Sequence, residues 1–171
     1  GLSAVTLLLV ATLASAQSLP GTENGEWRYL GGDAGHTRSS PLDQINRTNF
    51  EDLEVKWVWR SDNFGPNLDY FARSTPIYVD GMLYTVATPR RQVVAIDPET
   101  GETLWVFREP ETVRHLRSPR QAYGKGVAYG EVDGRGVIYV TSPAFFLWAL
   151  DAKTGLPLEN WGTSVPLDGF S

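Results

Sequence analysis

Short, mainly apolar runs separated by turn residues fill the chain from residue 75 onward. Runs of this kind, with Gly, Pro and Asp between them, are typical of β-strands joined by tight turns. The Asp80-Gly81 pair lies between the first two runs and predicts a two-residue hairpin. Four runs in succession predict the antiparallel strands of one propeller blade, at residues 75–79, 82–88, 92–97 and 104–108.

The same succession of runs returns further along the chain. Residues 95–101 match residues 149–155, and 54 positions separate Asp97 from Asp151. The second group predicts strands at residues 127–132, 137–142 and 145–151, and a fourth strand near Trp161. A period of this size is typical of a propeller or a solenoid. The predicted fold class is therefore all-β, a β-propeller fragment of about two four-stranded blades.

A strand-like segment precedes the first predicted blade. Trp57-Val58-Trp59-Arg60 matches residues 105–108, which predicts an outer strand whose inner partners lie elsewhere. Closed propellers often join both chain ends in one blade, so we expect those partners in a missing C-terminal part. Four blades at this period already need about 216 residues, more than the 171 present. We therefore expect a fragment that is unstable alone.

Two segments lie ahead of the predicted strands. Residues 5–13 form an apolar run that ends in Ala14-Ser15-Ala16, which predicts a signal peptide over residues 1–16 with a truncated start. A membrane anchor is the alternative, but a bilayer span needs about 20 apolar residues. Residues 17–54 form a polar lead and a short helix near 49–54, where Thr48 and Glu51 make a capping box. The partial propeller occupies residues 55–171, and the mature protein is expected to be periplasmic or secreted.

Composition and charge argue against several classes of binding partner and active site. The net charge of −5 argues against a nucleic-acid partner. The absence of cysteine removes disulfides, thiolate metal sites and a cysteine nucleophile. The two histidines, His36 and His115, are too few for a histidine-based metal site. No glycine-rich nucleotide-binding loop is present, and we expect no membrane span in the mature chain.

Two sets of motifs resemble a known family. The pattern Ala95-x-Asp97-x-x-Thr100-Gly101-x-x-x-Trp105 is similar to the tryptophan-docking motif of quinoprotein propellers. In such a motif the Asp caps a turn, the Gly takes a positive φ and the Trp packs between blades. Three further segments resemble the start of the alcohol and glucose dehydrogenases that depend on pyrroloquinoline quinone (PQQ). They are Trp27-x-Tyr29-x-Gly31-Gly32-Asp33, Arg38-x-Ser40-Pro41-Leu42 and Leu53-x-x-x-Trp57. The resemblance implies an eight-bladed propeller with PQQ bound on its axis.

The resemblance also indicates where cofactor contacts are expected. Arg73 stands where the family has a glutamate before the first inner strand, and Lys125 where it has an arginine before the second. Pro119-Arg120 occupies the place where many members have two adjacent cysteines. No catalytic residue or metal ligand is assigned in this chain, because the family's catalytic aspartate and calcium ligands lie downstream. Calcium is therefore expected only from residues outside the chain.

The blade pattern gives an independent reason to choose the same cations. Arg73 and Lys125 each precede an innermost strand, so both are expected at one axial mouth. The loop of residues 108–125 carries five basic residues and two acidic ones, in a protein of net charge −5. A basic loop beside an axial cavity suits the tricarboxylate PQQ. Arg120, in the same loop, is the third candidate; the alternative is a solvated loop that pairs with its own acids.

These features predict the N-terminal part of a PQQ-dependent oxidoreductase. The cofactor would accept a hydride from a small-molecule alcohol or sugar, and the protein would supply positioning and electrostatics. The electron acceptor stays open, and the fragment alone is expected to be inactive. The first alternative is a cofactor-free propeller that acts as a binding or assembly scaffold, and a sensor ectodomain is a weaker one.

Overall fold

Two antiparallel sheets form the body of the molecule. The structure, a computed structural model, describes residues 19–64, 73–88, 90–118 and 126–162. The first sheet, called blade 1, contains four strands in sequence order: β1 (Ile77–Val79), β2 (Met82–Ala87), β3 (Gln92–Ile96) and β4 (Thr103–Phe107). The second, called blade 2, contains three: β5 (Ala128–Val132), β6 (Arg135–Thr141) and β7 (Leu147–Asp151). These strands confirm the predicted all-β propeller fold.

The innermost hairpin of each blade is fixed by an Asp-Gly turn. Asp80 and Gly81 have φ angles of 49° and 77°, and Asp133 and Gly134 have 51° and 74°. Two successive positive φ angles define the type I′ turn, whose twist matches that of the flanking strands. The strands are consequently in register directly beside each turn, with Val79 opposite Met82 in blade 1.

The core lies between the two blades. Alternate residues of each strand point to the same face, so one face of blade 1 meets one face of blade 2. The buried residues in this interface are Ile77, Val79, Tyr84, Val93 and Ala95 from blade 1, and Ile138, Val140, Leu150 and Ala152 from blade 2. Burial of this apolar surface is the main force that holds the blades side by side.

Helical structure is short in the described part of the chain. One α-helical turn, α1, covers Val113–Leu116 in the connection between the blades. Single 3₁₀ turns occur at Glu23–Gly25, Phe50–Asp52 and Asp62–Phe64.

The helix predicted near residues 49–54 is the 3₁₀ turn Phe50–Asp52, and the predicted capping box is wrong. The Oδ1 atom of Asn46 accepts hydrogen bonds from the backbone N–H of Thr48 at 2.9 Å and from its hydroxyl at 2.6 Å. An Asn side chain that bonds the backbone two residues on favours a turn over a helix. Asn46 therefore holds Thr48 in a turn, and the 3₁₀ turn that follows begins after Asn49 without a side-chain cap.

The two predicted outer strands have different outcomes. The segment around Trp57 pairs in no β-ladder with another described residue, and because its partners are expected outside the chain, this outer strand stays a prediction. Near Trp161, an isolated bridge joins Leu150 to Pro157, and the N–H of Leu158 donates to the carbonyl of Ala149 at 2.9 Å. Residues 163–171, into which a fourth strand would continue, lie outside the described residues, as does the predicted signal peptide. Across the described ranges, no helix has the length and apolar character needed to cross a membrane.

Candidate functional site

Arg73 lies at the end of blade 1 where the innermost strand begins, and its side chain is exposed. The next residue, Ser74, is anchored by a hydroxyl contact of 3.2 Å with Thr85 on β2. A Cβ on Gly126 would lie 3.6 Å from the Oγ atom of Ser74. The starts of the innermost strands of both blades therefore approach each other, as the blade pattern predicts.

The other two cofactor-binding candidates cannot be placed beside Arg73. Arg120 and Lys125 lie outside the described residues, so their position at this end of the blades stays a prediction. Gly126, which follows Lys125 in the sequence, has a φ of 84° and lies beside Ser74. Described residues at this mouth include the exposed guanidinium of Arg73 and the half-buried hydroxyl of Ser74. This donor chemistry fits an anionic ligand such as a carboxylate.

Three other arginines near the junction of the blades contact groups away from Arg73. The Nη1 atom of Arg91 donates to the carbonyl of Thr141 in blade 2 at 3.0 Å. Arg90 is 3.4 Å from Glu111, and Arg114 lies over the ring of Phe146 at 4.8 Å. In the described part of the 108–125 loop, charges are therefore partly taken up by local partners, as the alternative interpretation of that loop expects.

A buried polar cluster at the junction of the blades was missed from the sequence. The carboxylate of Glu109, 6% exposed, accepts a hydrogen bond from the indole Nε1 of Trp148 at 2.9 Å. The Nδ1 atom of His115 lies 3.8 Å from the other carboxylate oxygen. Thr112 caps α1 by accepting the backbone N–H of His115 at 3.2 Å. Glu109 thus ties the connection between the blades to the third strand of blade 2.

Two tryptophans dock on the turns of neighbouring blades in the same way. The indole Nε1 of Trp57 donates to the carbonyl of Pro98, and that of Trp105 donates to the carbonyl of Ala152, both at 3.0 Å. Each ring also covers a glycine. A Cβ on Gly101 would lie 2.7 Å from the Cδ2 atom of Trp57, and one on Gly155 would overlap Cε3 of Trp105 and lie 2.6 Å from its Cδ2 atom.

The turn beneath each indole is held by an aspartate. The Oδ1 atom of Asp97 accepts the N–H groups of Glu99 and Thr100, at 2.7 and 3.0 Å. These bonds hold the pKa of Asp97 below its usual value, and the bond from Thr100 contributes most. Asp151 has the same arrangement, with bonds of 3.0 and 2.9 Å from Lys153 and Thr154.

Asp151 shows the balance between burial and hydrogen bonding. Burial would raise the pKa of its carboxyl, but the bonds from Thr154 and Lys153 outweigh burial, so the pKa is lowered. Both aspartates are consequently ionised turn caps, as the sequence predicts, and not acids or bases of a reaction. Across the residues that the structure describes, no group of three or more His, Cys, Asp or Glu side chains could hold a metal ion.

Comparison with known proteins identifies the architecture. A family model described as PQQ, glucose/ethanol/alcohol dehydrogenase, beta-propeller domain, matches residues 27–168. The chain is 33% identical over 165 residues to the quinohemoprotein alcohol dehydrogenase ADH-IIG of Pseudomonas putida, covering 89% of this chain and 21% of that protein. It is 35% identical over 146 residues to the 1-butanol dehydrogenase (cytochrome c) of Thauera butanivorans, covering 84% and 20%. The chain thus spans about a fifth of the length of these relatives.

A solved structure agrees with the sequence comparison. The quinohemoprotein alcohol dehydrogenase of Comamonas testosteroni superposes with a TM-score of 0.62 and 29% sequence identity, over 81% of this chain and 20% of that one. Residues 27–168, which the family model matches, include both described blades and the two docked indoles. The chain belongs to the β-propeller family of PQQ glucose, ethanol and alcohol dehydrogenases.

Proposed function

We propose that the chain is the N-terminal part of a PQQ-dependent dehydrogenase that oxidises an alcohol or a sugar. The observation that carries this proposal is the match of the family model over residues 27–168, which includes both tryptophan-docked blades. Relatives whose names specify alcohol, 1-butanol and glucose as substrates point to small hydroxyl compounds. The protein is proposed to work in the periplasm or outside the cell.

The cofactor is proposed to lie at the axial mouth where Arg73 precedes β1. Arg73 would bind a carboxylate of PQQ through a charge-assisted hydrogen bond, with Lys125 and Arg120 as the other cations. When bound there, the quinone would supply the electron-accepting chemistry. The residues of this chain would bind and orient the cofactor, and calcium and the catalytic base would come from residues outside it.

The electron acceptor is proposed to be a cytochrome or a quinone. The names of two relatives specify these acceptors: a cytochrome c for the 1-butanol dehydrogenase of Thauera butanivorans, and a quinone for an alcohol dehydrogenase of Komagataeibacter europaeus. No described residue of this chain distinguishes between them.

The alternative is a propeller that keeps the docked blades without the cofactor. Arg73 at the family's glutamate position, together with Pro119-Arg120 at the place of the cysteine pair, favours this alternative. The two functions differ in one measurable property, which is the binding of PQQ.

PQQ binding by the whole natural protein that carries these residues tests the proposal. The protein is titrated with PQQ in the presence of Ca²⁺, and quinone absorbance and dye reduction by alcohols and sugars are recorded. A charge-assisted hydrogen bond is worth about 1.5–3 kcal/mol, so Arg73→Ala should weaken binding by roughly tenfold to a hundredfold.

Arg135→Ala is the matched control for Arg73→Ala. Arg135 is also an exposed arginine, but it lies beside the Asp133-Gly134 turn at the opposite end of blade 2 and pairs with Asp151 at 3.5 Å. It should leave PQQ affinity unchanged. Equal affinity of wild type and Arg73→Ala would remove Arg73 from the site. A folded wild-type protein that binds no PQQ would favour the scaffold.

A further inference from the structure

The innermost strand of blade 1 has one edge that does not face its own sheet. Ile77 and Val79 lie opposite Tyr84 and Met82 on β2, whereas the N–H and C=O of Tyr78 bond to Trp27 at 3.0 and 2.8 Å. In a propeller, the outer side of the innermost strand borders the central channel. The backbone of Trp27 therefore lies on the channel side of blade 1.

The same N-terminal segment also reaches the innermost strand of blade 2. The Arg28 guanidinium is 3.4 Å from the carboxylate of Glu131 and lies over the ring of Tyr129 at 5.2 Å. The Tyr129 hydroxyl donates to the carboxylate of Asp80 in blade 1 at 2.9 Å. One segment thus bridges both innermost strands from the side of the channel.

These contacts gather at one end of the blades. Asp80 belongs to the turn after β1, and its backbone N–H donates to the carboxylate of Glu26 at 3.0 Å. Glu131 lies beside the corresponding turn of blade 2. Arg73 precedes the other end of β1 and is seven positions from Asp80, which corresponds to roughly 20 Å if the chain is extended. The N-terminal segment therefore sits at the mouth remote from Arg73.

The N-terminal segment is held together by its own hydrogen bonds and close contacts. Asp33, which is buried, accepts the backbone N–H groups of Gly35 and Thr37 at 2.9 and 3.0 Å. The carboxylate of Asp33 also accepts a hydrogen bond from the Thr37 hydroxyl. This hydroxyl bond and the backbone bonds together lower the pKa of Asp33, and the hydroxyl bond contributes most. A Cβ on Gly21 would meet the ring of Tyr29 at 2.6 Å, so this ring packs directly on the backbone.

An apolar turn projects from this body. The N–H of Gly32 donates to the carbonyl of Tyr29 at 2.9 Å, which places Leu30 at the tip of a four-residue turn. Leu30 is 61% exposed and Tyr29 is 40% exposed among the described residues. Large apolar side chains at such a tip are suited to contact the walls of a channel lined by further strands.

We propose that residues 20–38, here called the stopper, close the central channel of the propeller at the mouth remote from Arg73. Solutes would then reach the channel from the Arg73 side. The inference depends on the propeller fold and on the contacts of Trp27 and Arg28, and it does not depend on PQQ being the ligand.

An introduced cysteine tests the stopper, because residues 1–171 contain none. Any cysteine elsewhere in the natural protein is first replaced by serine. Leu30→Cys in the whole natural protein should react with a maleimide at least about tenfold more slowly than Lys153→Cys, since a closed site must open before it reacts. Lys153 lies in an exposed turn of blade 2 and is the matched surface control. Both cysteines should react equally fast in urea.

A second substitution tests the fastening to blade 2. Arg28→Ala in the Leu30→Cys protein removes the contacts with Glu131 and Tyr129, so labelling should become several-fold faster. Labelling of Leu30→Cys at the rate of Lys153→Cys in the folded protein would overturn the proposal.

Hydrogen exchange of the unmodified protein tests the same proposal without any substitution, so it applies even when a variant does not fold. The Tyr78 amide, bonded only to Trp27 within the described hydrogen bonds, should exchange as slowly as the amides of the blade core. Fast exchange at Tyr78, with slow exchange at Val79, would show that the stopper is not seated. These measurements need no cofactor, so their failure is distinct from a failure to bind PQQ.

Discussion

The docking of Trp105 on Gly155 gives a sharp test of how the blades are held together. Gly155→Ala adds a Cβ that would lie 2.6 Å from the Cδ2 atom of Trp105, where about 3.5–4.0 Å is the normal separation of carbon atoms. The indole has little freedom to retreat, because its Nε1 atom is bonded to the carbonyl of Ala152. The ring must tilt and lose this bond, or the turn must open.

Two costs add in this substitution. Gly155 has a φ of 71°, and an alanine in this left-handed region costs about 1–2 kcal/mol. Forcing extra volume into a packed contact costs about 1–3 kcal/mol more. We expect a total loss of roughly 2–5 kcal/mol in the free energy of unfolding.

Gly134→Ala separates the two costs. Gly134 has a φ of 74°, but a Cβ there would meet nothing within 4 Å, so only the backbone cost of about 1–2 kcal/mol remains. Urea unfolding of the whole protein, followed by tryptophan fluorescence, measures both variants. Gly155→Ala should be less stable than Gly134→Ala by about 1–3 kcal/mol. A difference below about 0.5 kcal/mol would refute the docking, because overlap with a fixed indole cannot be so cheap.

Two further predictions concern the buried and the ionised carboxylates. Glu109→Ala leaves the half-buried indole N–H of Trp148 without its acceptor, so it should destabilise the protein by about 1–3 kcal/mol in urea unfolding. Glu102→Ala, at an exposed glutamate, is the control, and equal stability of the two variants would contradict the assignment. The lowered pKa of Asp97 stabilises the folded protein above the unfolded pKa of about 3.9, and this contribution is lost as pH falls through the folded value. Asp97→Asn should therefore flatten the fall of melting temperature below about pH 4, and an unchanged acid profile would count against the turn cap.

Local signals account for the part of the fold that the sequence predicts well. The Asp80-Gly81 and Asp133-Gly134 pairs need positive φ angles, so they fix both inner hairpins and the register of the strands beside them. The Asp97 turn is equally local, because its cap bonds reach only two and three residues along the chain. The capping box at Thr48 is wrong because the Asn46 side chain bonds the Thr48 backbone N–H and hydroxyl and so holds this residue in a turn.

Contacts between distant segments account for what sequence reasoning missed. Glu109 and Trp148 are 39 positions apart, and their bond depends on how the connection between the blades folds back over blade 2. Trp27 bonds to the edge of β1 that pairs with no other described strand, and periodicity does not reveal this contact. At the candidate site, the position of Arg73 follows from the blade pattern. The positions of Arg120 and Lys125 stay predictions because they lie outside the described residues.

The most direct test of the account is an experimental structure of the whole natural protein prepared with PQQ and Ca²⁺. The account predicts PQQ at the mouth where β1 and β5 begin, with a carboxylate within hydrogen-bonding distance of the Arg73 guanidinium. Trp105 should lie on Gly155 in the same structure. PQQ bound away from Arg73, or no PQQ bound by a folded protein, would contradict it.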